Sequence, residues 1–463
     1  MTFLGQEIFF AIIVWEQKGG VLYMVSSHST YMCKEGHSCG LTGAAAFFAG
    51  IPNAAIVLNS SLWCYFSAQG YVEKQCTSAG VRFFCSQRNR DAVFRGTEEY
   101  LLHILQSIKQ TSQPSVVLLA NSCADNTSNH DLAHIAKQTN MNCPVICLDR
   151  QELEGGFWAG YQAAAKAYYD AMPLQSRSLV KPNTVNLLGC SVGYYNAVHD
   201  LKELRRMLTL AGYEVLACPG AGSTTQEIAK MNQAQLNIVV HDELGRNLAE
   251  LLEEQYDIPY VSLLPPYGLQ GSLSWLKAID YYMSGESYGL TTLQQEANYL
   301  EQSLSITMKE QRKIWGNIWF DSIFIAAPSS VAFSISQAVR SEWINTKKII
   351  TVLHNGVPFK QDYPEYIGTI LDGYKDQQRI EQHLTGLTGG LLMASSRENA
   401  IIHQRAVENV ACQHIAVPIY DEIILKSRPL MGLQGSSHMA EELWNKYIQE
   451  QEKTGIRQQV IAK

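Results

Sequence analysis

Three cysteines stand where thiolate sulfur could reach a common soft metal. Cys39 opens a small-residue stretch, Cys39-Gly-Leu-Thr-Gly-Ala-Ala-Ala46. Cys64 follows the apolar run 54–58 by way of Asn59-Ser-Ser-Leu-Trp63, and Cys123 follows the run 115–120 by way of Asn121 and Ser122. Each therefore sits at the end of an expected element. A cysteine at a helix start feels the aligned backbone dipoles, which favour negative sulfur. In open α/β sheets the rim beyond the carboxyl ends of the strands is where ligands bind. Thiolates are the usual ligands of iron–sulfur clusters, so three sulfurs meeting on one rim would make an electron-transfer centre. Gly36, Gly40 and Gly43 let backbone approach a bulky inorganic group near Cys39, and Ser38 is the expected cap of a helix over 40–50. The competing reading is a set of small buried hydrophobes, because there is no compact C-x-x-C array.

Other constellations carry less. Cys33 is an additional or alternative ligand candidate beside Cys39, and Cys190 follows an expected strand over 184–189 at the rim of a second unit. His130 and His134 have zinc-ligand spacing on an expected helix but no third ligand, which reads as a solvated face. Cys143 and Cys147 share one side of a strand and read as core. The turn Pro219-Gly-Ala-Gly-Ser223 lacks the Gly-Lys-Ser/Thr of a phosphate-binding loop, so it reads as a strand-to-helix turn and ATP hydrolysis is not expected of this chain.

The elements that must position these residues alternate. Apolar strands are expected at 54–58, 115–120, 143–148, 184–188, 214–217, 236–240, 260–264, 322–326, 349–353 and 390–393, with amphipathic helices at 98–110, 197–211, 247–256 and 331–343. Such alternation implies an α/β fold of mainly parallel sheets covered on both faces. Joints at 175–183 and after the long helix 291–315 divide the chain into three Rossmann-like domains, 25–178, 179–318 and 319–463. The last ends in a helix over 439–457 expected to pack back on another domain.

With 463 residues, 46% of them hydrophobic, the chain is long enough for several cores. A net charge of −7 and the lack of a basic patch argue against nucleic acid as a partner. No apolar run reaches the ~18 residues that a membrane span needs, and the run 9–15 lacks the positive flank of a secretory signal. Met24 offers an alternative start that would remove the first 23 residues. Eleven cysteines without an export signal point to reduced thiols in the cytoplasm rather than a disulfide framework.

At the three cysteines the sequence resembles the nitrogenase component 1 family. That family includes the molybdenum–iron protein subunits, their cofactor-assembly scaffolds and the dark protochlorophyllide reductases. The contexts Cys39-Gly-Leu-Thr-Gly-Ala44 and Cys64-Tyr-Phe66, and the intervals to Cys123, are similar to the family's cluster-binding cysteines. Phe94-Arg-Gly-Thr-Glu-Glu-Tyr-Leu101, Asn186-Leu-Leu-Gly189, Gly212-Tyr-Glu-Val215 and Pro265-Pro-Tyr-Gly268 continue the likeness in order along most of the chain. Three departures stand out. The family's His-Gly-Pro-x-Gly segment before the second cysteine is replaced by Leu58-Asn-Ser-Ser-Leu-Trp63. His241 stands where the iron–molybdenum cofactor has its cysteine ligand, and Met431 where it has its histidine.

The resemblance implies an iron–sulfur subunit of a nitrogenase-like oxidoreductase. It would pair with a homologous component 1 subunit, as a homodimer, heterodimer or tetramer. Cys39, Cys64 and Cys123 would hold half of a [4Fe–4S] or a larger P-type cluster. Electrons would come from a separate ATP-hydrolysing iron protein and go to a substrate or second metallocofactor in the cleft between the domains. His241 and Met431 could hold a different soft metal. The alternatives are a scaffold for metallocluster assembly without turnover, and a binding protein with a degenerate cluster site.

Overall fold

The computed structural model describes residues 39–73, 82–87, 97–122, 131–177, 179–283, 289–356, 364–423 and 427–453. Cys33, Gly36, Ser38, Cys123 and His130 lie outside the described residues.

Among the described residues three parallel sheets follow one another along the chain. The first holds β1 (Ala54–Asn59), β2 (Phe83–Cys85), β3 (Val116–Asn121) and β4 (Val145–Leu148), accompanied by α1 (Gly40–Ala49), α2 (Leu62–Glu73), α3 (Glu98–Thr111), α4 (Leu132–Thr139) and α5 (Gly156–Ala171). The second holds β5 (Thr184–Leu188), β6 (Glu214–Ala217), β7 (Leu236–Val239) and β8 (Tyr260–Ser262), with α6 (Ala197–Leu210), α7 (Thr225–Ile228), α8 (Asp242–Tyr256), α9 (Leu269–Met283) and α10 (Gly289–Trp315). The third holds β9 (Trp319–Ala327), β10 (Asn345–Leu353), β11 (Thr369–Asp372), β12 (Leu391–Ala394) and β13 (Ala411–His414), with α11 (Ser329–Ala338), α12 (Gln377–Thr385), α13 (Ser396–Gln404) and α14 (Gly432–Lys453).

The strand orders are β2-β1-β3-β4, β6-β5-β7-β8 and β11-β10-β9-β12-β13. In each sheet the winding reverses beside its first strand, between β1 and β3, β5 and β7, and β9 and β12. These are the crevices where doubly wound sheets bind ligands. The helix α14 packs back on α6, α9 and α10.

Alternation along the strands divides the first core in two. Ile56, Leu58, Leu118 and Ala120 face α1 and α5, while Val57, Val117 and Leu119 face α3 and α4. That period of two is what a strand covered on both faces dictates. Three strands carried no sequence expectation: β2, β11 and β13. All are edge strands of three or four residues, and Phe-Phe-Cys or Ala-Cys-Gln-His gives no periodic signal.

Every residue of α1 is buried. Its small side chains allow this, because α5 crosses it at backbone contact. A Cβ on Gly40 would stand 2.0 Å from the Leu153 carbonyl oxygen, one on Gly43 1.9 Å from that of Phe157, and one on Gly160 2.0 Å from that of Gly40. At the far end a Cβ on Gly50 would lie 1.8 Å from the Gly220 carbonyl oxygen in the second unit. So α1 is the joint between the first two sheets. Gly43→Ala is expected to lower stability by at least the ~1–3 kcal/mol typical of overpacking, measured by urea denaturation. Gly70→Ala on α2, where nothing among the described residues lies within 4 Å, is expected to be neutral or to gain up to ~1 kcal/mol from helix propensity.

Candidate functional site

The carboxyl rim of the first sheet is built from hydrogen-bonded side chains. Asn59 ends β1 and Asn121 ends β3, and the Asn59 amide donates to Asn121 Oδ1 at 2.7 Å. Asn121 donates onward to Asp149 at 2.9 Å, and Ser86 donates to Asn59 Oδ1 at 2.8 Å. This belt runs across all four strands and fixes where each chain leaves the sheet. An asparagine closing each apolar run was its only trace in the sequence.

Cys39 occupies the N-cap position of α1 itself, which corrects the expectation that Ser38 would do so. Its carbonyl takes the N–H groups of Thr42 and Gly43, and its exposed thiol lies 3.8 Å from the Thr42 hydroxyl. Cys64 sits in the first turn of α2, half-buried, and its sulfur accepts from the Ser61 hydroxyl at 3.5 Å. The two helices carrying these cysteines pack on each other. The backbone N–H of Ser122, the residue before Cys123, donates to the Asn59 carbonyl at 3.1 Å. The exit of β3 thus lies against the segment leading to Cys64.

A further thiol, Cys85, ends β2 and donates to the Ser60 carbonyl at 3.4 Å. It escaped the sequence analysis because its strand did. Leu62, Trp63 and Phe66, with Trp63 at 64% exposure, surround Cys64 with apolar surface. The donor set suits an iron–sulfur cluster: sulfur at a helix N-terminus and in the next helix's first turn, with hydroxyls close to both.

A second constellation lies between the three units. Cys190, Asp200, His241, Tyr267, His354 and Met431 line one cavity. The structure therefore gathers the three lesser candidates Cys190, His241 and Met431 from well-separated stretches. Cys190 and His241 follow β5 and β7, at the crevice of the second sheet, and His354 follows β10 of the third. The cavity volume, ≈ 30 Å³, accommodates about one water. Drug-sized ligands occupy sites of ~300–1,000 Å³, so a large occupant requires the walls to part.

The cavity wall is rich in buried titratable groups. His241 Nδ1 lies 2.8 Å from the Ser330 hydroxyl, and the ring lies 4.7 Å from that of Tyr194. Burial pushes its pKa down to about 3, so the imidazole is neutral. Behind it, burial raises the pKa of Glu243, which accepts from Tyr194 at 2.8 Å and Ser330 at 2.9 Å. Asp200 uses only Oδ1, which accepts from the N–H groups of Leu430 (2.6 Å) and Met431 (3.0 Å) and from Asn196 (3.2 Å). Its Oδ2 is buried without a partner among the described residues. Burial outweighs the three donors and lifts this carboxyl to about 7. Sequence reasoning passed over Asp200 and Glu243 because acidic residues in the first turn of amphipathic helices read as solvated.

The helix α2 joins the two constellations, since it carries Cys64 near its start and Tyr71 in the cavity wall. Seven residues at ~1.5 Å rise separate them by ~10 Å along the axis. Tyr71 packs against Phe157 at 5.4 Å, and Phe157 against Tyr194 at 6.3 Å.

Three doubly wound sheets around one cavity, with Cys39, Cys64 and Cys85 at the rim of the first, define a three-sheet α/β protein. The chain belongs to the family described as nitrogenase component 1 type oxidoreductase, whose sequence model matches residues 39–448. Among curated relatives, the B subunit of light-independent protochlorophyllide reductase from Chaetosphaeridium globosum is 22% identical over 382 residues, covering 78% of this chain and 72% of the relative. The corresponding protein of Picosynechococcus sp. is 24% identical with the same coverage. Among solved structures, nitrogenase Cp1 at pH 6.5 superposes with a TM-score of 0.72 at 14% identity, covering 94% of this chain and 96% of the other. Members of this family bind iron–sulfur clusters. No described helix is long and apolar enough to cross a membrane.

Asp200 makes stability pH-dependent. Its folded pKa lies above the ordinary value of 3.8, so the native state keeps a proton that the unfolded chain releases. That contribution is intact below about pH 4 and is lost as the pH rises through about 7. Against Asp200→Asn, the wild type should lose up to about 4 kcal/mol of relative stability over this range, at ~1.36 kcal/mol per unit. Paired urea titrations at several pH values would measure it, and parallel pH profiles would contradict a buried protonated carboxyl.

Proposed function

We propose that this chain is the iron–sulfur subunit of a nitrogenase-like oxidoreductase, with Cys39, Cys64 and Cys123 as its cluster ligands. The observation that carries this is α2, which places a rim cysteine and a wall residue of the inter-domain cavity on one rigid element. The cluster, a [4Fe–4S] or a larger P-type one, would supply one-electron storage at the rim. The chain's own residues have separable tasks. The thiolates hold iron, and the Thr42 and Ser61 hydroxyls lie close enough to donate to sulfur and tune its potential. The apolar surface of Leu62, Trp63 and Phe66 excludes water once covered. A homologous component 1 subunit fits that cover, because three thiolates leave one iron of a cubane without a cysteine from this chain. A separate ATP-hydrolysing iron protein would deliver electrons in the cytoplasm.

In the cavity, neutral His241 can accept or donate a hydrogen bond without carrying charge. Asp200, whose carboxyl burial lifts to about 7, can supply a proton of the kind that multi-electron reduction consumes. The three units 25–178, 179–318 and 319–463 would act as domains whose relative movement opens the cavity.

A second reading is a scaffold on which a metallocluster is assembled and handed on. The narrow cavity and the replacement of both cofactor ligands, by His241 and Met431, favour it. The two differ in turnover: with iron protein and MgATP, the oxidoreductase consumes reductant, whereas the scaffold carries cluster and consumes none.

Under anoxic purification, Cys39→Ala, Cys64→Ala and Cys123→Ala should each lower bound iron and acid-labile sulfide by more than about half, since ligand loss weakens cluster retention. The far-UV circular dichroism should stay unchanged. Cys412→Ala, in the third sheet, should retain both. Iron content indifferent to all three rim substitutions would reject the ligand assignment.

A further inference from the structure

Hydrogen bonds from Tyr194, Ser329 and Ser330 converge on the carboxylate of Glu243, and chemistry fixes the direction of the links. The Trp158 indole N–H only donates, and it points at the Tyr194 oxygen at 2.7 Å. The Tyr194 proton is therefore left for Glu243 Oε1 at 2.8 Å. The backbone N–H of Ser329 selects Asn355 Oδ1 as its acceptor at 2.9 Å. The Asn355 amide N–H then faces the Ser329 hydroxyl at 3.0 Å, and that hydroxyl turns its proton toward Glu243 Oε2 at 3.4 Å. The backbone N–H of Ser330 also approaches Oε2, at 3.3 Å. Ser329 and Ser330 open α11. An acid of the second unit thus caps a helix of the third, where aligned backbone dipoles favour negative charge. Burial pushes this carboxyl up, and the donors draw it back.

A carboxylate that receives at both oxygens has no proton to pass on, so the link through Ser330 runs the same way. The Ser330 hydroxyl gives its single proton to Glu243 Oε1 at 2.9 Å. Toward His241 Nδ1, 2.8 Å away, the same oxygen can only accept. Nδ1 therefore carries the proton of the neutral ring. The other nitrogen, Nε2, keeps a bare lone pair on the side of the ring turned away from Ser330. No described residue hydrogen-bonds to Nε2, and His241 lines the central cavity.

We propose that Glu243, acting through Ser330, is a positioning residue that locks His241 in the Nδ1–H tautomer, so that Nε2 meets the cavity only as a hydrogen-bond acceptor. The lock selects the occupant. An O–H or N–H directed at Nε2 is held, whereas a carbonyl or carboxylate oxygen in that place meets a lone pair. The cavity, ≈ 30 Å³, accommodates about one water, and water supplies the donor while the walls are closed. A ligand that displaces it must bring an O–H or N–H of its own to keep the bond. This narrows the hydrogen bonding of His241 to one direction, and it rests on the cavity wall alone, whether or not the rim cysteines hold a cluster.

The test uses the full chain with the heavy nitrogen isotope in its histidine rings. Long-range proton–nitrogen correlation spectra separate protonated from bare ring nitrogens, and the signals lost in His241→Gln identify this residue. In the wild type, Nδ1 should be the protonated nitrogen and Nε2 the bare one. Ser330→Ala removes the acceptor of the Nδ1 proton, so both His241 nitrogens should shift toward the average of the two tautomers while the other histidines stay in place. Ser330→Thr keeps the hydroxyl and should keep the wild-type pattern. A loss of packing alone would not move a proton between ring nitrogens. A wild-type His241 protonated at Nε2 would overturn the proposal without any variant having to fold. An unchanged tautomer in Ser330→Ala with native circular dichroism would overturn it as well. The spectra require neither cluster nor turnover, so their outcome is separate from that of the iron measurements.

Discussion

The close crossing of α1 and α5 is the contact on which the rest depends. Helix axes usually stand ~8–10 Å apart, and side chains set that distance. Here glycines at 40, 43 and 160 remove the side chains at the crossing, and carbonyl oxygens take their place. With Thr42 its one polar side chain, α1 can be buried all round and serve as a wedge between the first and second sheets. One end presents Cys39 to solvent. The other ends at Gly50, whose carbonyl accepts from Gly222 of the second unit at 2.6 Å. The position of the rim thiol and the docking of two units are thus set by the same few missing Cβ atoms.

That wedge also explains the chemistry gathered in the middle. Once the sheets are docked, the crevices of the second and third face each other, and the polar residues that close their strands are trapped away from water. Burial of a charge in such a place is costly unless it is neutralised or fully hydrogen-bonded. The structure uses both remedies. Burial raises Asp200 to about 7 and pushes Glu243 upward, His241 is held neutral, and Glu398 stays ionised beside His354 at 3.3 Å, its pKa lowered by that imidazole and by Ser395 despite burial.

Much of the scaffold was legible in the chain. Long apolar runs such as Ala-Ile-Val-Leu and Val-Val-Leu-Leu can only be strands covered on both faces, and the helices between them announce themselves by their apolar stripe. The edge strands β2, β11 and β13 were not legible, because an edge strand of three or four residues owes its state to a neighbour that is distant in sequence. The belt of Asn59, Asn121, Asp149 and Ser86 was hidden for the same reason: each residue looks ordinary until its partner lies opposite. The thiol of Cys85 was lost with its strand.

The sequence by itself determined the class of fold, the family and the residue types available at the sheet rims. These follow from local covalent and hydrophobic patterns repeated along the chain. Tertiary structure alone decided which of those residues meet, which are exposed and which hold a proton. His354 and Met431 are far from Cys190 and His241 in the chain and join them at one cavity only when the separately wound sheets dock. The physical reason is that proximity and dielectric environment belong to the packed assembly, whereas periodicity belongs to the chain.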